Sequence, residues 1–224
     1  MRYVLFGQGA LTARCLRWLE ERGTPPRLTI ADRVTTPEDR ARLTEAQGDF
    51  GISINYRHKL TPDLLDAFRD GVLNLHTGFL PAGRGAHPNV HAILDGEPAG
   101  ITLHWMDADL DTGPVIAQQP VPVSFADTAY TLYQRLQETA FTCFCDWWAQ
   151  ADRDGGWPAG WTQPDSGFPT HTAAELRRVA ETPLDLRTLN VLRALTFPGH
   201  SGYPYRHTDG HLYDLTINVN RVAE

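Results

Sequence analysis

The stretch RYVLFGQGALTARCLRWLEER, residues 2–22, decides the class of fold. Its first five residues form an apolar run of strand length, and a glycine-containing turn follows over residues 7–9. The apolar side chains then recur every three or four positions, the period of a helix with one buried face. They are Leu11, Cys15, Leu16 and Leu19. A strand, a tight turn and a helix in this order predict an α/β protein.

Strands and helices continue to alternate along the first two thirds of the chain. This alternation predicts a Rossmann-like, mostly parallel sheet flanked by helices, with functional groups at the carboxyl ends of its strands. Strands are predicted over residues 28–31, 51–56, 72–76, 100–106 and 114–121, and helices over residues 36–47, 60–68 and 128–148.

The composition changes after the long helix. Residues 151–170 are rich in Gly, Pro and Trp, which predicts a linker on the surface. We therefore expect a catalytic domain over residues 1–150 and a small C-terminal module over residues 171–224. The module is predicted to be an α+β appendage, with two short helices and a β-hairpin that turns at residues 209–210.

Charge and hydropathy exclude several classes of function. The 224 residues carry a formal net charge of −7, so no broad basic face for nucleic acid is expected. No stretch approaches the roughly 18 apolar residues of a membrane-spanning helix. The sequence predicts a globular protein in the cytoplasm that acts on a small molecule, with no nucleic-acid or membrane partner.

Two loops that are similar to ligand-binding motifs lack a residue that each motif needs. A dinucleotide-binding turn requires a third glycine where GQGALT has Thr12, and a calcium loop requires a glycine where DADLDTG has Thr112. The three cysteines are odd in number and lack CxxC spacing, which predicts reduced thiols rather than disulfides or a zinc site. We expect no metal.

The stretch NLHTGFLPAGRG, residues 74–85, carries the strongest chemical signal. Asn74 and His76 stand two apart at the end of a predicted strand, so their side chains point to the same face. An amide donor beside an imidazole suits the stabilisation of an oxyanion and the transfer of a proton.

Residues 74–118, NLHTGFLPAGRGAHPNVHAILDGEPAGITLHWMDADLDTGPVIAQ, closely resemble the central motif of the folate-dependent formyltransferases. The resemblance implies the formyltransferase fold and 10-formyltetrahydrofolate as the co-substrate. It also implies that Asn74, His76 and Asp111 are the catalytic set. Asn74 and His76 would stabilise a tetrahedral intermediate, and Asp111 would fix the orientation and tautomer of the imidazole.

The same resemblance suggests residues that bind the ligands. Ile54, Asn55, Tyr56, Leu80 and Asp107 are expected near the folate. For the second substrate, Arg84 is a candidate for a phosphate or carboxylate, or else an ordinary charge at a loop tip. The rings of Trp105, Tyr203 and Tyr205 are candidates for stacking on a base or sugar, or else ordinary packing or dimer contacts.

The chain departs from the family pattern in two places. The family has Pro-Ser-Leu-Leu-Pro after the histidine, where this chain has Thr77, Gly78, Phe79, Leu80 and Pro81. The region between residues 31 and 51 is also shorter than the family pattern. The first difference bears on the wall of the substrate pocket, and the second on the depth of the sheet.

The tail LNVLRALTFPGHSGYPYRHTDGHLYDLTINV, residues 189–219, is similar to the C-terminal module of the nucleotide-sugar N-formyltransferases. This resemblance implies a dTDP-linked 3-amino or 4-amino deoxysugar as the formyl acceptor, and a homodimer.

Glycinamide ribonucleotide or another small amine remains an alternative acceptor. Hydrolysis of 10-formyltetrahydrofolate remains an alternative reaction. A methionyl-tRNA formyltransferase is disfavoured by the acidic chain and the short tail, and a non-enzymatic protein by the match at three separated polar positions.

Overall fold

The fold is described from a computed structural model, which covers residues 1–124, 127–165, 167–179, 186–198, 202–206 and 212–217. Six strands form the central sheet in the order β2-β1-β3-β4-β6-β7. The first four strands in this order are parallel, and the last two run antiparallel to their neighbours. The predicted mostly parallel sheet is confirmed. These strands are β1 (Tyr3–Gly7), β2 (Leu28–Ile30), β3 (Phe50–Ile54), β4 (Val72–His76), β6 (Gly100–Trp105) and β7 (Val115–Pro120).

Two pairs of short strands lie outside the central sheet. One pair is parallel and the other is an antiparallel hairpin. The hairpin was predicted, although its turn at 209–210 lies outside the described residues. The parallel pair was not predicted from the sequence. The short strands are β5 (Arg84–Gly85), β8 (Thr170–His171), β9 (Tyr203–Arg206) and β10 (Leu212–Leu215).

Most of the helices agree with the sequence pattern apart from their ends. The helix predicted over residues 60–68 is a single short turn, α3, and helix α4 was not predicted. The helix expected to end at residue 148 continues to Asp154, so the first residues of the expected linker are helical. The helices are α1 (Gly9–Glu21), α2 (Pro37–Ala46), α3 (Pro62–Leu65), α4 (Pro88–Leu94), α5 (Ala129–Asp154), α6 (Ala173–Val179) and α7 (Leu186–Leu195).

The turn between β1 and α1 explains why Thr12 replaces a third glycine. The Thr12 hydroxyl donates to the Ile54 carbonyl at 2.7 Å, which ties α1 to the carboxyl end of β3. Gly7 makes this approach possible, because a Cβ there would lie 2.3 Å from the Ile54 carbonyl oxygen. The turn is therefore filled by a side chain that bonds to the sheet.

Helix α5 closes one face of the sheet. Trp148, which is 1% exposed, lies edge-on to Tyr3 with ring centroids 4.8 Å apart. Val191 and Ala194 of α7 belong to the same apolar cluster, so part of the C-terminal module packs on the main core. The division into the domains expected from the sequence stays a prediction.

The three cysteines carry free thiols, as predicted. Burial raises the pKa of Cys145 to about 11, so this thiol is protonated at neutral pH. Within the described residues, no helix is long and apolar enough to cross a lipid bilayer.

Candidate active site

The polar residues predicted at the end of β4 lie in a cleft of about 430 Å³ at the carboxyl edge of the sheet. Such an edge is where open α/β sheets bind their ligands. The cleft lies beside the point where β6 reverses the direction of the sheet. The described residues that line it include Ser53, Asn55, Tyr56, Asn74, His76, His104, Asp107 and Asp111, with Arg57, His58 and Lys59 along the same segment.

Asn74 is held by two partners. It lies opposite His104 in the antiparallel pairing of β4 with β6. The Asn74 amide Nδ2 lies 3.2 Å from His104 Nε2 and donates to Asp111 Oδ1 at 3.3 Å. The Trp105 carbonyl lies 2.8 Å from His104 Nδ1 and accepts its proton, which leaves Nε2 to accept from Asn74. The amide of Asn74 is therefore oriented before any ligand arrives.

His76 is oriented by a backbone carbonyl. Its Nε2 lies 2.8 Å from the Gly83 oxygen and donates to it. Its Nδ1 lies 3.8 Å from Asp111 Oδ2, a distance beyond a direct hydrogen bond. We expected Asp111 to fix the imidazole tautomer, but in this structure Gly83 does so. The Asp111 carboxylate lies beside the ring without a direct hydrogen bond to it.

Gly78, which stands in the altered stretch after His76, makes room for this arrangement. A Cβ at this position would lie 2.4 Å from His76 Nε2 and 2.8 Å from the Gly83 oxygen. A side chain there would displace either the ring or the carbonyl that holds it. The departure from the family motif is thus linked to the orientation of the histidine.

Asp111 collects hydrogen bonds from separate parts of the chain. It is 8% exposed, and its Oδ2 accepts the Gly85 backbone N–H at 2.8 Å. Burial by itself raises the pKa of Asp111. The nearby His76 and His104 and the Gly85 N–H together outweigh burial and hold this pKa well below its usual range. The group is a carboxylate under all ordinary conditions.

The residues expected near the folate divide into two groups. Asn55, Tyr56 and Asp107 line the cleft, whereas Ile54 and Leu80 are buried behind it, at 0% and 2% exposed. The Tyr56 hydroxyl donates to the Asp32 carbonyl at 2.7 Å, which fixes the ring at the mouth of the cleft. The roles of these residues stay predictions.

Among the residues expected to bind the second substrate, Arg84, Trp105 and Tyr203 do not line this cleft. Arg84 donates through Nη2 to Gln163 Oε1 at 2.8 Å, and Trp105 donates its indole N–H to the Pro158 carbonyl at 2.9 Å. Tyr203 packs on the main apolar cluster. The side chain of Tyr205 lies outside the described residues. These contacts favour a packing role for Trp105 and Tyr203.

Sequence reasoning missed several parts of the site, His104 first among them. His104 is only 1% exposed and contacts both Asn74 and Asp111. The alternation of side chains along β6 could have indicated His104, because it lies two residues after Thr102 and so points to the same face. Using that signal requires knowing that β6 pairs with β4. The Gly83 carbonyl and Gly85 N–H contribute through backbone atoms, which leave no mark on side-chain identity.

The fold and the site together define a Rossmann-like α/β protein with an Asn, His and Asp cleft at the carboxyl edge of its sheet. Residues 22–146 match the sequence model of the family described as Formyl transferase. The chain belongs to this family.

Two kinds of curated relative match this chain. The methionyl-tRNA formyltransferase of Thiobacillus denitrificans is 44% identical over 102 residues, which cover 45% of this chain and 33% of that protein. The chain thus spans about a third of the length of this relative. The dTDP-4-amino-4,6-dideoxyglucose formyltransferase of Mycobacterium tuberculosis is 31% identical over 176 residues, which cover 76% of this chain and 70% of that protein.

Solved structures agree with the fold. A formyltransferase of Anoxybacillus kamchatkensis, in complex with UDP-4,6-dideoxy-4-formamido-L-AltNAc and tetrahydrofolate, is 30% identical with a TM-score of 0.69. The alignment covers 83% of this chain and 93% of that one. A structure from Mycobacterium tuberculosis described as a likely sugar N-formyltransferase is 22% identical, with a TM-score of 0.85 over 100% of this chain and 99% of that one. At this identity the likeness shows the fold alone.

Gly85 offers a test of how tightly the wall of the cleft is built. Its φ is +87°, and a Cβ would lie 2.1 Å from the His171 carbonyl oxygen. We expect Gly85→Ala to lower the free energy of unfolding by about 2–5 kcal/mol, through the clash and the left-handed backbone. Urea titration followed by Trp fluorescence measures the change.

Gly96→Ala is the matched control, because Gly96 has a φ of +71° and nothing lies within 4 Å of its Cβ position. Gly96→Ala should lower the free energy of unfolding by only about 1–2 kcal/mol, which is the cost of a left-handed backbone conformation in a residue with a side chain. An equal decrease in the free energy of unfolding in the two variants would contradict a tight contact between Gly85 and His171.

Proposed function

We propose that this protein is an N-formyltransferase. It moves the formyl group of 10-formyltetrahydrofolate to the amine of a nucleotide-linked amino deoxysugar, such as a dTDP-3-amino or dTDP-4-amino sugar. The observation that carries the proposal is the convergence of Asn74 and His76 on Asp111, at 3.3 and 3.8 Å, in one cleft. The relatives that match most of the chain, one of them solved with tetrahydrofolate and a formamido sugar nucleotide, support this choice of substrates.

The reaction needs a place for negative charge and a route for a proton. The amine lone pair forms a new bond to the formyl carbon, and the carbonyl electron pair moves onto oxygen. The bond to N10 of the folate then breaks, its electron pair stays on N10, and a proton passes from the amine to N10. The site must therefore hold an oxyanion and carry one proton between two nitrogens.

Asn74 supplies the donor for the oxyanion. Its N–H bond to Asp111 is long, at 3.3 Å, so a nearby oxyanion can compete for the same hydrogen. His104 accepts from the same amide nitrogen, at 3.2 Å, and keeps the amide pointing into the cleft. The donor is oriented in advance, which avoids the cost of reorganising it during the reaction.

His76 supplies the proton route. Gly83 holds the proton on Nε2, so Nδ1 is the ring atom that can gain and lose a proton. The Asp111 carboxylate near Nδ1 stabilises the imidazolium that forms when Nδ1 takes the amine proton. The low pKa of Asp111 makes it a weak base, which favours this electrostatic role over direct proton transfer.

One segment of the cleft lining carries exposed basic side chains. Arg57 and Lys59 lie there, both exposed, beside Tyr56. The glutamyl tail of a folate and the diphosphate of a sugar nucleotide are both anionic, so either would be attracted. Because Asp107 and Asp109 also line the cleft, this attraction is local to Arg57 and Lys59, and it does not distinguish between the two ligands.

The direct test is a mass-spectrometric assay of the purified protein with 10-formyltetrahydrofolate. The amine panel contains dTDP-3-amino and dTDP-4-amino sugars, UDP-amino sugars, glycinamide ribonucleotide and a sample without amine. The addition of one formyl group to a nucleotide sugar is the expected result. Formylation of glycinamide ribonucleotide alone would replace the proposed acceptor, and formate release without an amine would indicate a hydrolase.

Asn74 and His76 should each make a large contribution to the rate of turnover. Asn74→Ala removes the oxyanion donor and His76→Ala removes the proton carrier, so each should lower kcat roughly 100-fold. Tetrahydrofolate affinity, measured by the quenching of Trp fluorescence, should remain close to that of the unmodified protein.

His87→Asn is the control for these variants. His87 lies outside the cleft and has a φ of +57°, a conformation that Asn tolerates. Its kcat should change by no more than about twofold. Turnover near the normal rate in Asn74→Ala or His76→Ala would remove these residues from the catalytic set.

The altered stretch after His76 gives a separate prediction. Gly78→Ser places a Cβ 2.4 Å from the His76 ring nitrogen that bonds to Gly83, so the ring must move. We expect kcat to fall about tenfold or more, since misplaced catalytic groups are costly. Gly156→Ser, at a position with nothing within 4 Å, is the control and should retain full turnover. An unchanged kcat in Gly78→Ser would show that the bond to Gly83 is dispensable.

A further inference from the structure

The chain beyond α5 returns to the candidate active site at two places. At the first, Trp161 forms an antiparallel bridge with Val115, next to the loop that carries Asp111. At the second, β8 pairs in parallel with β5, so that His171 stands beside Gly85. We call residues 161–163 and 170–175 the strap. The sequence placed residues 161–163 and 170 in a surface linker and residues 171–175 in the C-terminal module, yet Gln163 and His171 are buried.

Gln163 is the first of these buried side chains, at 9% exposed. Its Nε2 donates to the Asp111 and Gly113 carbonyls, at 2.9 Å each. Its Oε1 accepts from Arg84 Nη2 at 2.8 Å. One amide therefore joins the Asp111 loop to the turn that contains Gly83 and Gly85. Asp111 has a φ of +56°, an unfavourable conformation for a residue with a side chain, which these bonds help to hold.

His171 is the second buried side chain, at 6% exposed. Its Nε2 lies 3.0 Å from Glu97 Oε1, and its Nδ1 lies 3.2 Å from Glu175 Oε2. The other oxygen of Glu97, Oε2, accepts the Gly83 backbone N–H at 2.9 Å. Glu97 is itself only 7% exposed, so an unpaired carboxylate there would be strongly unfavourable.

Gly83 connects this pair to the catalytic histidine. Its N–H bonds to Glu97, and its carbonyl accepts from His76 Nε2 at 2.8 Å. The path from the strap thus runs through His171, Glu97 and the Gly83 peptide to the His76 ring. Neither Glu97 nor His171 lines the cleft, so both act through Gly83.

His91 packs on the strap and raises the question of a metal site. His91, His171 and Glu175 place their ligand atoms within 4.8 Å of one another. The two imidazoles, however, are stacked with centroids 3.4 Å apart and an interplanar angle of 9°. Lone pairs that lie in two parallel ring planes run side by side, and they do not converge on one ion at the roughly 2.0–2.1 Å of a zinc–nitrogen bond. The stack supports the His171 ring, and Asp95 bonds to His91 Nδ1 at 2.8 Å on its outer side.

We propose that Glu97, His171 and Gln163 are positioning residues of the active site. Glu97 and His171 fix the Gly83 peptide that orients His76, and Gln163 fixes the loop that presents Asp111. The claim that they serve turnover rests on the proposed function. The claim that they fix the turn rests on the hydrogen bonds alone, and the two can be tested separately.

The experiment compares Glu97→Ala with Glu97→Gln in the full chain. The alanine removes the acceptor for the Gly83 N–H, whereas the glutamine retains an acceptor for Gly83 and gains a donor for His171. Two quantities are measured: kcat and KM with the formyl donor, and hydrogen exchange of the Gly83 amide by NMR. Asp152→Asn is the control, because it removes an exposed carboxylate of α5 that does not line the cleft.

In Glu97→Ala we expect Gly83 exchange to accelerate and kcat to fall about tenfold or more, with KM changed by no more than about twofold. Glu97→Gln should restore most of both quantities, and Asp152→Asn should leave both unchanged. A loss of kcat that glutamine rescues is not expected of a merely structural residue. A normal kcat with accelerated Gly83 exchange, or unaltered exchange in the alanine variant, would overturn the proposal.

Gln163→Ala keeps the test decisive if Glu97→Ala fails to fold. It should lower kcat by a similar factor, since it frees the Asp111 loop, and a normal kcat would refute the positioning role of the strap. A further outcome is that the unmodified protein transfers no formyl group while Gly83 exchange still responds to Glu97→Ala. In that case the proposed function is wrong, and the claim that Glu97 fixes the turn is supported.

Discussion

The structure of the site depends on the compensation of one buried charge, the carboxylate of Asp111. A carboxylate that is 8% exposed is tolerated only where hydrogen bonds and opposite charges replace its water. Here the replacements are the Asn74 amide at the end of β4 and the backbone N–H of Gly85. Satisfying this one group therefore fixes the relative positions of Asn74 and His76 and shapes the cleft.

The sequence predicted those parts of the site that are encoded locally. The alternation of side chains along a single strand was enough to pair Asn74 with His76. The class of fold also followed from local patterns, since apolar periodicity identified most helices and strands. Asp111 was found only through the resemblance of a long motif. Its contacts depend on how the loop between β6 and β7 folds back over the sheet.

The remaining parts depend on tertiary structure that local patterns do not encode. The alternation of strands and helices indicates parallel strands, so it does not reveal the antiparallel β6, which brings His104 next to Asn74. Helix α4 is short, and its apolar residues lacked the length that makes a helical period recognisable. Gln163 is one polar residue within a segment rich in Gly and Pro. Its burial depends on distant carbonyls that composition does not identify.

The contact between Gln163 and the Asp111 loop joins residues 52 positions apart, with all of β7 and α5 between them. A ribosome makes the chain in order, so the sheet, the cleft and Asp111 emerge well before the residue that holds the loop in place. The nascent domain would thus form its cleft before the contacts that complete the geometry of the Asp111 loop. The loop that carries Asp111 would accordingly gain its hydrogen bonds to Gln163 only after the strap has left the exit tunnel.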